Sequence, residues 1–236
     1  MESCAFTSSL EGENKMSCTN SINPNSGKDL LIKIGNNFEG AVTFQDTGDT
    51  VTYNNHGLSV DDPVSFSVIT TTTGIVINVV YYVVNPLTNT FQLAATPGGV
   101  VLSLTTNGTG TAVETFGDVT GLSSTTISEA STMQEITNKS SNNYREILDQ
   151  AGILSMSVSG DGLFSSDWAQ DKLRTLFLAN RINRYQIWVV PSDAVVTKYW
   201  EGCFKIASME SKGELDAAQT FSLSLESSGA FAWNSI

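Results

Sequence analysis

Apolar residues in this chain recur mostly at every second position, the period of strands that bury one face. GILSMSVSG (Gly152 to Gly160) sets Leu154, Met156 and Val158 against Ile153, Ser155, Ser157 and Ser159. VTFQ, TVTY, PVSFSVI, GIVINVVYYVV, TFQLA and VVLSLTT lie between Ala41 and Val113, separated by His56-Gly57, Asp62-Pro63, Asn85-Pro86, Pro97-Gly98-Gly99 and Asn107-Gly108. Runs punctuated in this way predict about five to seven short strands in a compact all-β module. GKDLLIKI (Gly27 to Ile34) and SSTTISEASTMQEITN (Ser123 to Asn138) also read as strands, as do YQIWVVP, KYWEGCFKIASMES and AQTFSLSLES. Lys212 to Asp216 closes a hairpin between the last two. Only one segment has helical spacing. Asp167 can cap it, with Gln170 at the capping-box distance and Ala169, Leu173, Leu176 and Phe177 on one face.

Composition sharpens the division. The 73 residues from Ala41 to Val113 include 15 Thr, and Ser, Asn and Thr dominate the first 26 residues without periodicity. The chain is therefore read as a flexible arm at 1–26, a discontinuous domain at 27–40 and 114–236, and an inserted all-β module at 41–113. Among 236 residues, 12 Lys and Arg oppose 24 Asp and Glu, a net charge of −12. No Lys or Arg lies between Lys33 and Lys139, where nine carboxylates fall. A basic nucleic-acid binder is excluded on this balance. No apolar run approaches 18 residues, so membrane binding is not expected.

Chemistry-bearing residues are sparse. His56 is the only histidine, in the turn Asn54-Asn55-His56-Gly57, and Cys4, Cys18 and Cys203 are too few and too scattered for a zinc site. The spacing of Asp46, Asp49, Asp61 and Asp62 lacks a Gly-turned calcium loop, so these read as solvated loop carboxylates. Asp167 and Asp171 are explained by the positive end of a helix. Trp188, Tyr199, Trp200 and Phe204 read as core or intersubunit aromatics. No enzyme, metal or cofactor is expected.

Six motifs occur in order: GKDLLIKI, TNKSSNNYREIL, SMSVSGDG, FSSDWAQDKLRTLFLAN, WEGCFKIASME and FSLSLESSG. With them the chain resembles the major tail protein, or tail tube protein, family of long flexible-tailed phages (siphophage type), interrupted by the module at 41–113. The resemblance implies a mainly β tail-tube barrel or sandwich with one flanking α-helix, carrying a small inserted all-β decoration. It further implies a structural virion protein of the phage tail, assembled in the bacterial cytoplasm into stacked hexameric rings that conduct the genome. Implied partners are other copies of the chain, a tape measure protein, a tail terminator, distal tail or baseplate proteins and DNA in transit. The alternative is a tail-end, baseplate or host-carbohydrate-binding tail protein sharing the tube fold. Glu129, Glu135, Glu210 and Glu226 are the candidate lumen residues. Tyr144, Ile147 and Leu148, apolar side chains on a polar connection, are the candidate ring-contact loop.

Overall fold

The computed structural model describes residues 3–6, 16–19, 30–165, 167–189, 197–215 and 217–235. The fold is mainly β with one helix, in three pieces: a two-stranded hairpin, a seven-stranded sheet and a closed six-stranded barrel. The hairpin pairs β1 (Ser3–Phe6) with β2 (Met16–Thr19) and lies within the segment expected to be irregular.

The barrel comprises β4 (Gly40–Gln45), β5 (Thr50–Thr52), β6 (Pro63–Thr70), β7 (Tyr81–Val84), β8 (Thr90–Ala94) and β9 (Gly108–Val113), closing in the order β4-β5-β8-β7-β6-β9. Closure leaves no edge strand to protect, so short Thr-rich strands suffice. Alternate residues point inward, and Phe44, Phe66 and Phe91 fill the centre, with Phe44 and Phe66 edge to face at 5.1 Å. Phe38, which precedes β4, belongs to the same core and packs on Phe91 at 5.6 Å.

The sheet runs β10-β3-β13-β14-β15-β12-β11. Its strands are β3 (Leu30–Gly35), β10 (Phe116–Asp118), β11 (Leu122–Ser131), β12 (Leu154–Leu163), β13 (Ile182–Val189), β14 (Lys198–Lys212) and β15 (Thr220–Ser235). Gly27 to Asp29 of the expected first strand, Val190 and Pro191 of YQIWVVP, and Asp216 of the hairpin link lie outside the described residues. The terminal Phe231 to Ser235 belongs to β15. Trp233 and Phe231 pack on Trp200 there, at 4.7 Å and 5.6 Å.

Helix α1 (Trp168–Leu178) covers one face of the sheet. The Asp167 side chain accepts the Gln170 N–H at 2.9 Å, the cap that the spacing predicts. Ala169, Gln170, Leu173 and Leu176 are buried, whereas Phe177 is 39% exposed at the margin of the face on which it was expected. At the other end Asn180 takes the left-handed conformation (φ 54°) and its N–H returns to the Phe177 carbonyl, stopping the helix. Asp167→Ala should lower stability by about 1 kcal/mol in chemical denaturation, because one helix N–H loses its acceptor.

Candidate functional site

Two surfaces and one internal junction stand out. The first surface is the side of the sheet opposite α1. Residues paired across antiparallel strands share a face, so register decides which side chains meet. Ile32, Ile34, Tyr185, Ile187, Phe204, Ile206, Leu223, Leu225, Met156 and Val158 build the core on the helix side. The residues between them form a polar face. One row crosses it through Asp118, Lys33, Gln186 and Glu201, and another through Lys205, Glu226, Ser157 and Ser128.

This face is held by its own network. Lys33 pairs with Asp118 at 2.8 Å and lies 4.5 Å from the centre of the Trp188 ring, which stacks on Tyr199 at 5.3 Å. Trp188 donates to Gln186, Gln186 to Glu201, and Arg184 joins Glu201 (2.5 Å) to Glu114 (2.8 Å). Burial raises the pKa of Glu114, opposed by the charge and hydrogen bond of Arg184. On the described strands the face carries Lys33, Arg184, Lys205 and Lys212 against Asp118, Asp161, Glu201, Glu210 and Glu226, a balance of 4 − 5 = −1.

Of the four candidate lumen carboxylates, the structure brings Glu210 and Glu226 together on this face. Glu210 reaches it through a bulge: register shifts between Ile206 and Ser208, so Met209 turns to the core and Glu210 away from it. Glu129 is paired with Met156 and so has the helix-side orientation. Glu135 lies beyond the sheet, bridged to Ile147 and 3.4 Å from Arg145. Trp188 and Tyr199 are on the polar face, whereas Trp200 and Phe204 are on the core side.

The second surface is an arm. From the end of the β11–β12 hairpin the chain continues as an irregular ribbon: Thr132 donates to Ile153, Leu148 to Gln134 and Ile136 to Glu146. The stretch read as a polar connection thus prolongs a hairpin, and Tyr144, Ile147 and Leu148 all sit on it. These side chains are exposed, Tyr144 by 77%, together with Met133, Ile136, Ile153 and Leu154. The ribbon thus concentrates exposed apolar side chains on a thin projection.

The junction couples barrel to helix. Asp62, in the turn before β6, is 0% exposed. Its carboxylate accepts hydrogen bonds from the Ser59 N–H (3.0 Å) and from the Trp168 indole, and lies 3.5 Å from the Lys172 ammonium. Beside it, Asn36 donates to the Pro63 carbonyl (2.6 Å) and accepts the Phe38 and Thr115 N–H groups. Sequence reasoning missed this site, since Asp62 resembled its solvated neighbours. Asp49 and Asp61 each accept a backbone N–H, of Leu104 and Gly98 respectively. The His56 ring accepts the Leu58 N–H at 3.0 Å and packs on Phe91. Among the described residues, no three His, Cys, Asp or Glu side chains converge as metal ligands.

A sequence profile described as phage tail tube protein matches residues 95–232, more than half of the chain. The chain belongs to the phage tail tube protein family. It is therefore a structural component of the virion tail. Solved structures similar to this tail tube protein include a chain from the tail of an empty gene transfer agent particle refined with C6 symmetry, at 27% identity and TM-score 0.45. That match covers 50% of this chain and 86% of the other. A chain from the virion of the native gene transfer agent particle is 26% identical at TM-score 0.45, with 50% and 88% covered. A search of curated protein sequences returned no significant match.

Proposed function

We propose that this tail tube protein assembles into hexameric rings that stack into a hollow tube, with the polar face of the sheet lining the channel through which the genome leaves. The observation that carries the reading is the two-sided sheet: an apolar side already covered by α1, and a nearly charge-balanced polar side over which no described element folds. Its outer strand β11 also offers unpaired backbone groups to a neighbour, which continuation of the sheet between subunits satisfies. Six copies per ring is the number the family resemblance implies. In this arrangement the helix and barrel lie outside, the barrel as a decoration. The arm with Tyr144, Ile147 and Leu148 reaches the next ring. Glu210 and Glu226 face the lumen, while Glu129 and Glu135 belong to the arm side of the contact. The tape measure protein, tail terminator and distal tail proteins bind the tube's interior and ends, and assembly takes place in the host cytoplasm.

Electron microscopy of the concentrated protein should show tubes or rings of uniform diameter, and hydrogen exchange in residues 132–153 should be fast in the monomer and slow in the tube. The arm's few backbone bonds lie on an exposed ribbon that frays when unpartnered. Discrete small oligomers at every concentration, or equal exchange in both states, would overturn the reading.

A further inference from the structure

The barrel and the start of α1 enclose a cleft of about 580 Å³, walled by Val80, Tyr82, Trp168 and three carboxylates, Asp61, Asp118 and Asp167. We propose that this cleft seats the arm tip of a second copy in the adjoining ring, so that the barrel takes part in stacking as well as decorating the tube. The proposal rests on the stacking reading above and names the surface that receives the arm.

Position is the first argument. The cleft is at the Leu122 end of the β11–β12 hairpin: Thr120 bonds to Asp167, and Leu163 donates to the Gly121 carbonyl at 2.9 Å. The arm leaves from the opposite end, where Ser131 pairs with Leu154. Ten-residue strands separate the two by roughly 30 Å. A projection at one end and a hollow at the other make a head-to-tail contact, which propagates along an axis when successive copies are related by translation rather than by a closing rotation.

Chemistry is the second argument. Between Asn138 and Arg145 the tip carries Lys139, Arg145 and Tyr144 and no carboxylate. Asp118 is already paired with Lys33, which leaves Asp61 and Asp167 beside the aromatic rings of the cleft wall, with no Lys or Arg among the lining residues. An aromatic and a guanidinium presented together match a site of that composition. A second hollow at this end, lined by Asp161, Leu163, Glu210 and Lys212, has a cation at its rim.

The test places p-benzoylphenylalanine at position 144 in the full-length chain, assembles it, irradiates it and maps intermolecular crosslinks by mass spectrometry. Crosslinks into residues 80–82 and 116–120 or 167–169 are expected. Tubes whose crosslinks fall instead on Asp161–Leu163 or Lys212 would overturn the docking site alone, whereas protein that forms no rings or tubes would overturn the stacking reading and this proposal with it. Val80→Lys provides the second measurement. Val80 is exposed, so the fold tolerates a charge that repels Lys139 and Arg145, and the yield of sedimentable tube should fall at least tenfold while rings persist. Undiminished tube yield with Val80→Lys would also overturn the site.

Discussion

Asp62→Ala should destabilise the folded chain by about 3–5 kcal/mol, the range for breaking a buried ion pair from one side. Lys172 is nearly buried, and alanine would leave its ammonium with no counter-charge at the junction and the Trp168 N–H without its acceptor. Asp62→Asn keeps an oxygen for the indole and loses only the charge, so its cost should be smaller. Lys172→Met in the Asp62→Ala background should recover much of the loss, because the stranded charge is then gone. Equilibrium denaturation of the parent, Asp62→Ala, Lys172→Met and the double variant measures the coupling. Additive effects would mean that the two side chains act independently.

The same junction sets conditions on removing the barrel. Gly40 is paired with Ala112, so its two ends are adjacent and a short Gly/Ser linker can replace residues 41–113. That excision nevertheless strands Lys172 and Trp168, and it exposes Phe38, whose packing partners lie in the barrel. The simple deletion should therefore fold poorly. A deletion that also carries Phe38→Ser and Lys172→Met should fold and form tubes of smaller outer diameter, as expected of a separable module. Failure of the compensated protein to fold would make the barrel part of the core.

Local features were legible because local chemistry specifies them. The helix followed from Asp167 and the spacing of Ala169, Leu173 and Leu176, and five of the six barrel strands from the Gly, Pro and Asn turns between alternating runs, whereas VVLSLTT forms no named strand and β9 follows it at Gly108–Val113. Strand order was not, since β3 finds β13 across some 150 residues and nothing in LLIKI names its partner. Facing was legible only where strands are regular. The bulge after Ile206 reverses the alternation in β14, which puts Glu210 on the polar side, and pairing with Met156 turns Glu129 the other way. The Asp62–Trp168–Lys172 junction joins residues 106 and more positions apart, and a carboxylate in a Pro-containing turn looks the same whether solvated or buried.

Reversing the charge of the polar face should turn a conduit that releases DNA into one that holds it. At 4 − 5 = −1 per chain on the described strands, the face offers a polyanion no continuous track of cations. Three of its four cations are also paired: Lys33 with Asp118, Arg184 with Glu114 and Glu201, and Lys212 with Glu214. Glu210→Lys combined with Glu226→Gln changes the face by +3, to +2 per chain, and repetition around every ring multiplies that into a basic lining. Glu226 is changed to glutamine because a lysine there would oppose Lys205 directly across the ladder. Both side chains are exposed, so folding and tube formation should be unaffected. Double-stranded DNA mixed with variant tubes should bind with a steep inverse dependence on salt, each neutralised phosphate adding about 0.9 to the slope of log K against log salt. Particles carrying the variant should eject their genome more slowly, most of all at low ionic strength, where the Debye length is longest. Ejection at the parental rate in low salt, with no DNA retained, would mean that this face does not line the channel, and tight binding of DNA by the parental tubes would refute a lumen that lets DNA slide.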